Sequence, residues 1–246
     1  MRSVPPNQQR VRLGLLVGLM VVGVSLGLRV SATTRQGINF AVSRHSIPLS
    51  VKALDFLHRD AHYRLLARQI TEGLTSDEER VLAVFDWTRR TIQPTPEGWP
   101  VVDDHILNII IRGHGLGDQM TDVFCTLSTY AGVPAFWRSI RDVPNGSSNL
   151  LSFAKVEGTW RVFDVVEGAV FRDASGQLVP VEALVAAPAL ADRFHEVPVE
   201  FSYAAYFERL HPFTIPEPLR AEQQMLGPRL LFETRKALHL IKTEGR

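Results

Sequence analysis

The chain has a single cysteine, Cys125, among 246 residues. A lone thiol excludes an internal disulfide, so the fold has to be stabilised by its core rather than by covalent staples. An excess of charge of either sign is also missing. With 27 Lys and Arg against 26 Asp and Glu, the net charge is +1, and no basic footprint for nucleic acid results. A phosphate-binding glycine loop is absent too. The sequence GHGLG at positions 113–117 lacks the Lys-Ser/Thr of a P-loop and the spacing of a dinucleotide fingerprint. His105 and His114, with Asp103, Asp104, Asp118 and Asp122 nearby, offer donors a metal accepts. Their spacing matches no ligand motif, and solvated loop and helix-cap positions account for them. No cofactor and no metal are expected.

What is present suits one globular domain with attachments: 45% hydrophobic and 22% charged residues. The longest apolar run, residues 13–28, is uncharged, follows Arg2, Arg10 and Arg12, and is closed by Arg29. It falls between the core of a signal peptide and the roughly 20 residues of a comfortable membrane span. Val30-Ser31-Ala32 has the small-residue character of a cleavage site. Residues 1–32 therefore read as a signal anchor or a signal peptide. Both place the rest of the chain outside the cytoplasm, membrane-anchored or secreted.

Residues 33–74 read as a polar linker to about 50 and then an N-terminal helix, with Leu54, Leu57, Ala61, Leu65 and Ile70 at helical spacing. Ser76 and Glu79 form a capping box that opens a helix carrying Val81, Val84, Phe85 and Thr88. Pro94, Pro96, Gly98 and Pro100 mark a loop around Trp99. A helix over 118–131 presents Met120, Val123, Phe124, Leu127 and Ala131 as an apolar stripe. Strands follow at 136–140, 150–156 and 159–166, with a tight hairpin at Glu157-Gly158. Residues 191–246 form an aromatic and helical extension containing Tyr203, Tyr206, Phe207, Leu210 and Phe213. Its last helix, 228–242, is amphipathic. Packing of its apolar face on the domain is expected, with an anionic membrane as the alternative.

The segment from Gly115 to Ser139, GLGDQMTDVFCTLSTYAGVPAFWRS, resembles the nucleophile-bearing segment of the transglutaminase-like superfamily, which has a papain-like cysteine protease fold. Members read Gly-x-Cys-Asp-Gln and then an amphipathic helix ending in Gly-Ile/Val-Pro-Ala. Asp118-Gln119 and Gly132-Val133-Pro134-Ala135 set that frame here, and Gly117 stands where the catalytic cysteine would. The likeness covers residues 75–190. It implies an α+β fold in which a central helix packs on a mostly antiparallel sheet. Trp160 to Asp164 resembles the family's Trp-x-x-x-Asp ending, so Asp164 matches the third triad member, and the histidine position falls on Asn149.

Triad-equivalent positions Gly117, Asn149 and Asp164 thus retain one functional group of three. Glycine has no nucleophile, and the asparagine amide has no titratable proton near neutral pH. Asp118, Gln119, Trp99 and His114 are the expected groove residues. Cys125 is the alternative nucleophile. It lies eight residues past Gly117, about 12 Å along a helix, and reads otherwise as a small buried residue. The expectation is an envelope-tethered, non-catalytic domain that binds a peptide, a polysaccharide or an assembly partner. A cysteine-dependent hydrolase or acyltransferase with a relocated site is the competing reading, and a spacer in an export or polysaccharide-synthesis complex is the third.

Overall fold

In the computed structural model the described residues are 14, 15, 17, 18, 20–25, 27, 30–38, 41–141 and 148–238. The basic flank Arg2, Arg10, Arg12 and Arg29 lies outside them. Among the described residues no helix is long and apolar enough to cross a membrane. The chain divides into two compact units, Met1–His58 and Arg59–Arg246.

In the first unit, residues expected as a polar linker form an antiparallel hairpin. Strand β1 (Ser31–Ile38) pairs with β2 (Ala41–Pro48) from Ser31↔Pro48 to Ile38↔Ala41. Most of the described side chains of this hairpin are exposed, so neither face needs an apolar row. The alternation that would have revealed the strands is therefore missing. Helix α1 (Leu49–Ile70) begins five residues earlier than the apolar spacing suggests and runs into the second unit. Its buried residues are Asp60, Tyr63 and Ala67, whereas Leu54, Leu57 and Leu65 are exposed. Polar contacts select that face. Tyr63 meets the Tyr130 ring edge-on at 5.5 Å, and Asp60 Oδ1 lies 2.8 Å from the Tyr130 hydroxyl.

The second unit is α+β. Helix α2 (Asp77–Thr91) starts at Ser76, whose hydroxyl accepts the Glu79 N–H while Glu79 Oε2 accepts the Ser76 N–H. A two-residue parallel pair, β3 (Gln93–Pro94) and β4 (His114–Gly115), flanks α3 (Ile106–Arg112). The central helix α4 (Gly117–Tyr130) is buried from Gln119 to Thr129. Four strands, β5 (Ala135–Ile140), β6 (Asn149–Val156), β7 (Thr159–Asp164) and β8 (Ala169–Val170), pair antiparallel in sequence order. Glu157 and Gly158 both have positive φ, 49° and 83°, as a type I′ hairpin turn requires.

Side-chain alternation divides the sheet between two cores. Ala135, Ala154, Val156 and Phe163 face α2 and α4, in a cluster with Phe85, Val123, Phe124 and Leu127. Phe136, Leu151, Phe153, Trp160 and Val162 face a second cluster that contains Tyr203, Tyr206, Phe207 and Leu210. The C-terminal aromatic stretch thus covers the sheet's other face. It is followed there from α5 (Val181–Ala186) to α6 (Ala204–Arg209). The last helix, α7 (Leu226–Ala237), departs from the expected packing: Leu226, Leu230 and Leu231 are exposed rather than turned onto the domain. Its half-buried residues are Arg229, Phe232 and Glu233, so one aromatic ring and an ion pair of 2.6 Å between Arg229 and Glu233 hold the inner face.

Candidate functional site

Antiparallel pairing of β6 with β7 brings the start of one strand beside the end of the other. Asn149 Nδ2 donates to Asp164 Oδ2 at 2.9 Å, and Asn149 Oδ1 accepts the Leu150 N–H at 2.6 Å. The same Asp164 oxygen accepts the Tyr203 hydroxyl at 3.0 Å, while Oδ1 accepts the Glu167 N–H at 2.9 Å. Asp164 is fully buried. Burial pushes its carboxyl pKa up, and the bonds from Glu167, Asn149 and Tyr203 pull the other way. Two of the three triad-equivalent positions are therefore in direct contact. The contact is an amide–carboxylate bond that has no proton to relay at neutral pH.

Gly117 is the first residue of α4, directly after Leu116. A Cβ at this position would lie 3.0 Å from Leu150 Cδ1 and 3.1 Å from Val166 Cγ2. These contacts are tight enough that both side chains would have to yield. Leu150 follows Asn149 and Val166 follows Asp164 by two residues, so the elements that carry the pair also fill the space in front of Gly117. The helix N-terminus that would lower a thiol pKa is present. Even a Cβ at this position would press on two apolar side-chain ends.

Gln119, expected along the groove, is instead buried at 1% exposure. Its Nε2 donates to the Asp103 carbonyl at 3.0 Å and to Asp104 Oδ1 at 2.7 Å. Its Oε1 accepts from Arg112 Nη2 at 2.6 Å and from the Leu116 N–H at 3.0 Å. Gly115 permits this fold-back, since a Cβ there would sit 3.0 Å from Gln119 Oε1. A glutamine with all four hydrogen-bonding positions engaged inside the protein shapes the approach to α4 and does not line it. Asp118 stays in the first turn, where its Oδ1 accepts the Gln119 N–H at 3.0 Å.

Trp99 and His114 do meet at the surface, ring edge to face at 5.3 Å. Trp99 is 59% exposed, so it does not close a loop over the core. Leu116 at 40% and Val166 at 36% are exposed on either side of Gly117. Trp99 against His114, and Leu116 and Val166 next to Gly117, are the exposed side chains available to the candidate groove.

Cys125 lies on the inner part of α4 at 2% exposure. Burial, and then the Asp122 charge, push its thiol pKa well above the usual value, opposite to what an activated nucleophile needs. Asp122 itself is buried, accepting Trp137 Nε1–H at 2.6 Å and pairing with Arg220 at 2.9 Å. Among the described residues no three His, Cys, Asp or Glu side chains converge as a metal site would require.

The residues absent from the sequence reading of the site are Tyr203, Leu150, Val166 and Arg112. Tyr203 was visible only as one aromatic among several, 39 residues after the carboxylate it bonds. No short-range pattern encodes such a pairing.

No protein-family model and no curated protein matches this chain. Three solved structures are similar at low identity. A candidate cysteine protease from Cytophaga hutchinsonii is 16% identical with a TM-score of 0.37, over 43% of this chain and 37% of its own. A candidate protease from Parabacteroides distasonis is 11% identical with a TM-score of 0.35, over 61% and 40%. A TGase is 11% identical with a TM-score of 0.39, over 68% and 49%. This chain spans less than half the length of each of these structures.

Proposed function

We propose that this chain is a non-catalytic, transglutaminase-like binding domain of the cell envelope, and that it holds an extended peptide segment of an envelope or polysaccharide-assembly protein. The carrying observation is Gly117, which has no nucleophile and where even a Cβ would press on Leu150 Cδ1 and Val166 Cγ2 at 3.0 and 3.1 Å. Beside it the Asn149–Asp164 bond keeps the surrounding strands in register without acid–base chemistry. Leu116 and Val166 present exposed apolar surface next to that position, and Trp99 is exposed against His114, which suits alternate side chains of a bound strand. Residues 1–32 supply the tether, with the domain outside the cytoplasm; cleavage after the apolar run would release it as a secreted protein. Relocated chemistry at Cys125 has no support from its buried, deactivated thiol.

The test pairs binding with turnover. The full-length chain, reconstituted in lipid nanodiscs, is screened against a peptide array, a polysaccharide array, and ester and glutamine-amide substrates. Peptide retention that falls at least about tenfold in Trp99→Ala, the order expected for loss of an aromatic anchor, agrees with the reading. Thiol-dependent turnover that disappears in Cys125→Ala would overturn it in favour of the relocated enzyme. Retention of polysaccharides alone would also overturn the choice of a peptide.

A further inference from the structure

Charge is distributed unevenly along the chain. The first acidic residue is Asp55, so all 26 acidic residues lie from there onward, while Arg29, Arg35, Arg44 and Lys52 lie between the apolar run and that point. The net charge of +1 therefore conceals a cationic first segment and an anionic remainder. Such an asymmetry suits an anionic partner for the first segment.

The hairpin β1–β2 gathers these cations. Arg35 and Arg44 occupy directly paired positions in its register. Like charges directly opposite one another destabilise a strand pair, and the hairpin contains no acidic residue to relieve them. Lys52 adds a third cation, donating from Nζ to the Thr33 carbonyl at 2.7 Å. Alternation places Thr33 and Arg35 of β1 on one face with Val42, Arg44 and Ser46 of β2. Thr33, Val42, Arg44 and Ser46 are exposed, whereas the half-buried Ala32, Thr34, Ile38 and Ile47 belong to the other face.

The place of the hairpin in the chain selects the kind of anion. Only Arg29 and Val30 separate β1 from the apolar run. The Leu49 N–H donates to the Val30 carbonyl at 2.7 Å, so the base of the hairpin and the start of α1 meet at the exit from that run. Leu15, Met20 and Val24 within the run are more than half exposed, as are Val30 and Leu54, which flank the hairpin in the chain. Exposed apolar side chains next to clustered cations match a lipid interface, where hydrocarbon takes the former and headgroup phosphates the latter. A soluble polyanion would satisfy the cations alone.

We infer that the face of the hairpin carrying positions 35 and 44 docks on an anionic phospholipid surface, with Lys52 as a third cation. The inference goes beyond peptide binding and rests on the tether at residues 1–32, which holds the hairpin base within a Debye length, about 10 Å, of the headgroups.

The full-length chain is reconstituted by detergent removal into vesicles of phosphatidylcholine, alone or mixed with phosphatidylglycerol. An environment-sensitive fluorophore is attached at Val42→Cys on the docking face or at Gln36→Cys on the opposite face, each in a Cys125→Ala background. Co-flotation with phosphatidylcholine reports the tether, and the fluorophore reports the hairpin. The label at 42 should shift to the blue only when phosphatidylglycerol is present, and the label at 36 should shift in neither mixture. Salt at about 1 M, where the Debye length falls to about 3 Å, should reverse the shift. Arg44→Gln should lower the ratio of docked to undocked hairpin about fivefold, the value of one cation near an anionic leaflet. Arg35→Glu should abolish docking while placing opposite charges at the paired positions. That pairing favours the hairpin, so the lost response would not come from unfolding.

No phosphatidylglycerol-dependent shift, equal shifts on both faces, or indifference to both arginine substitutions would each overturn the inference. A shift that follows the protein-to-lipid ratio instead of the lipid charge would assign the face to a second copy and overturn it as well. Co-flotation without any shift overturns the inference and spares the tether. Failure to co-float with phosphatidylcholine overturns the tether and the inference with it.

Discussion

Tyr203 donates its hydroxyl to Oδ2 of Asp164, the oxygen that also accepts the Asn149 amide, at 3.0 Å against 2.9 Å. This buried carboxylate is shared between two neutral donors, one of them from the aromatic segment that covers the sheet's second face. Tyr203 is itself a secure donor. Burial and the adjacent Asp164 push its phenol pKa up, so the proton stays on oxygen across the accessible range.

Tyr203→Phe removes that donor and leaves the buried carboxylate one partner short. A loss of about 1–3 kcal/mol is expected for an unsatisfied buried acceptor. Urea denaturation followed by tryptophan fluorescence measures it. A variant as stable as the parent would show that the hydroxyl contributes nothing to this network.

Asp164 also sets a pH dependence. Its folded-state pKa is raised by burial, so the folded chain binds this proton more tightly than the unfolded chain does. The resulting contribution to stability is complete below the unfolded pKa, near 3.9, and is lost as pH rises through the raised folded value. Asp164→Asn should therefore flatten the decline of stability with pH above 4 that this group causes. Parallel unfolding curves for parent and variant at every pH from 4 to 7 would contradict the direction.

Gly117→Cys tests whether the nucleophile position can be refilled. The new Cβ meets Leu150 and Val166 at 3.0 and 3.1 Å, and overpacking of this kind costs about 1–3 kcal/mol. Adding Val166→Ala should recover part of that loss. The introduced thiol should then label with iodoacetamide faster in the double variant than in the single one. Equal labelling rates in both would mean that Val166 does not block the site.

Cys125 should resist alkylation in the folded chain. The side chain is buried and its thiol pKa is raised, so iodoacetamide should modify it only at the rate of unfolding. Fast labelling at pH 7 with a thiol pKa below about 8.5 would return the relocated enzyme to consideration.

Gln119 should prove structural. Gln119→Leu deletes four hydrogen-bond positions and removes the acceptor from Arg112 Nη2 and from the Leu116 N–H. A destabilisation of about 1–3 kcal/mol is expected, detected as a lower thermal midpoint, with peptide affinity of the folded fraction changed far less than by Trp99→Ala.

Much of the fold was legible in short-range signals. The Ser76–Glu79 box, the Glu157-Gly158 turn, the α4 stripe and the period-two strands each depend on residues a few positions apart, and local geometry alone decides them. The hairpin at 31–48 was not legible, because a strand pair with little buried surface leaves no apolar alternation. The buried face of α1 was misread for a related reason: Asp60 and Tyr63 are selected by Tyr130, 70 residues from Asp60.

By itself the sequence determined that position 117 carries no nucleophile and position 149 no base, since side-chain chemistry needs no coordinates. It also determined that helix α4 begins there and that a sheet follows. Only the tertiary structure decided that Asn149 reaches Asp164, that Tyr203 shares the same oxygen, that Gln119 turns inward, and that Leu150 and Val166 fill the space before Gly117. Those outcomes rest on packing between segments far apart in the chain, where the burial of one side chain is set by neighbours that no local spacing can name.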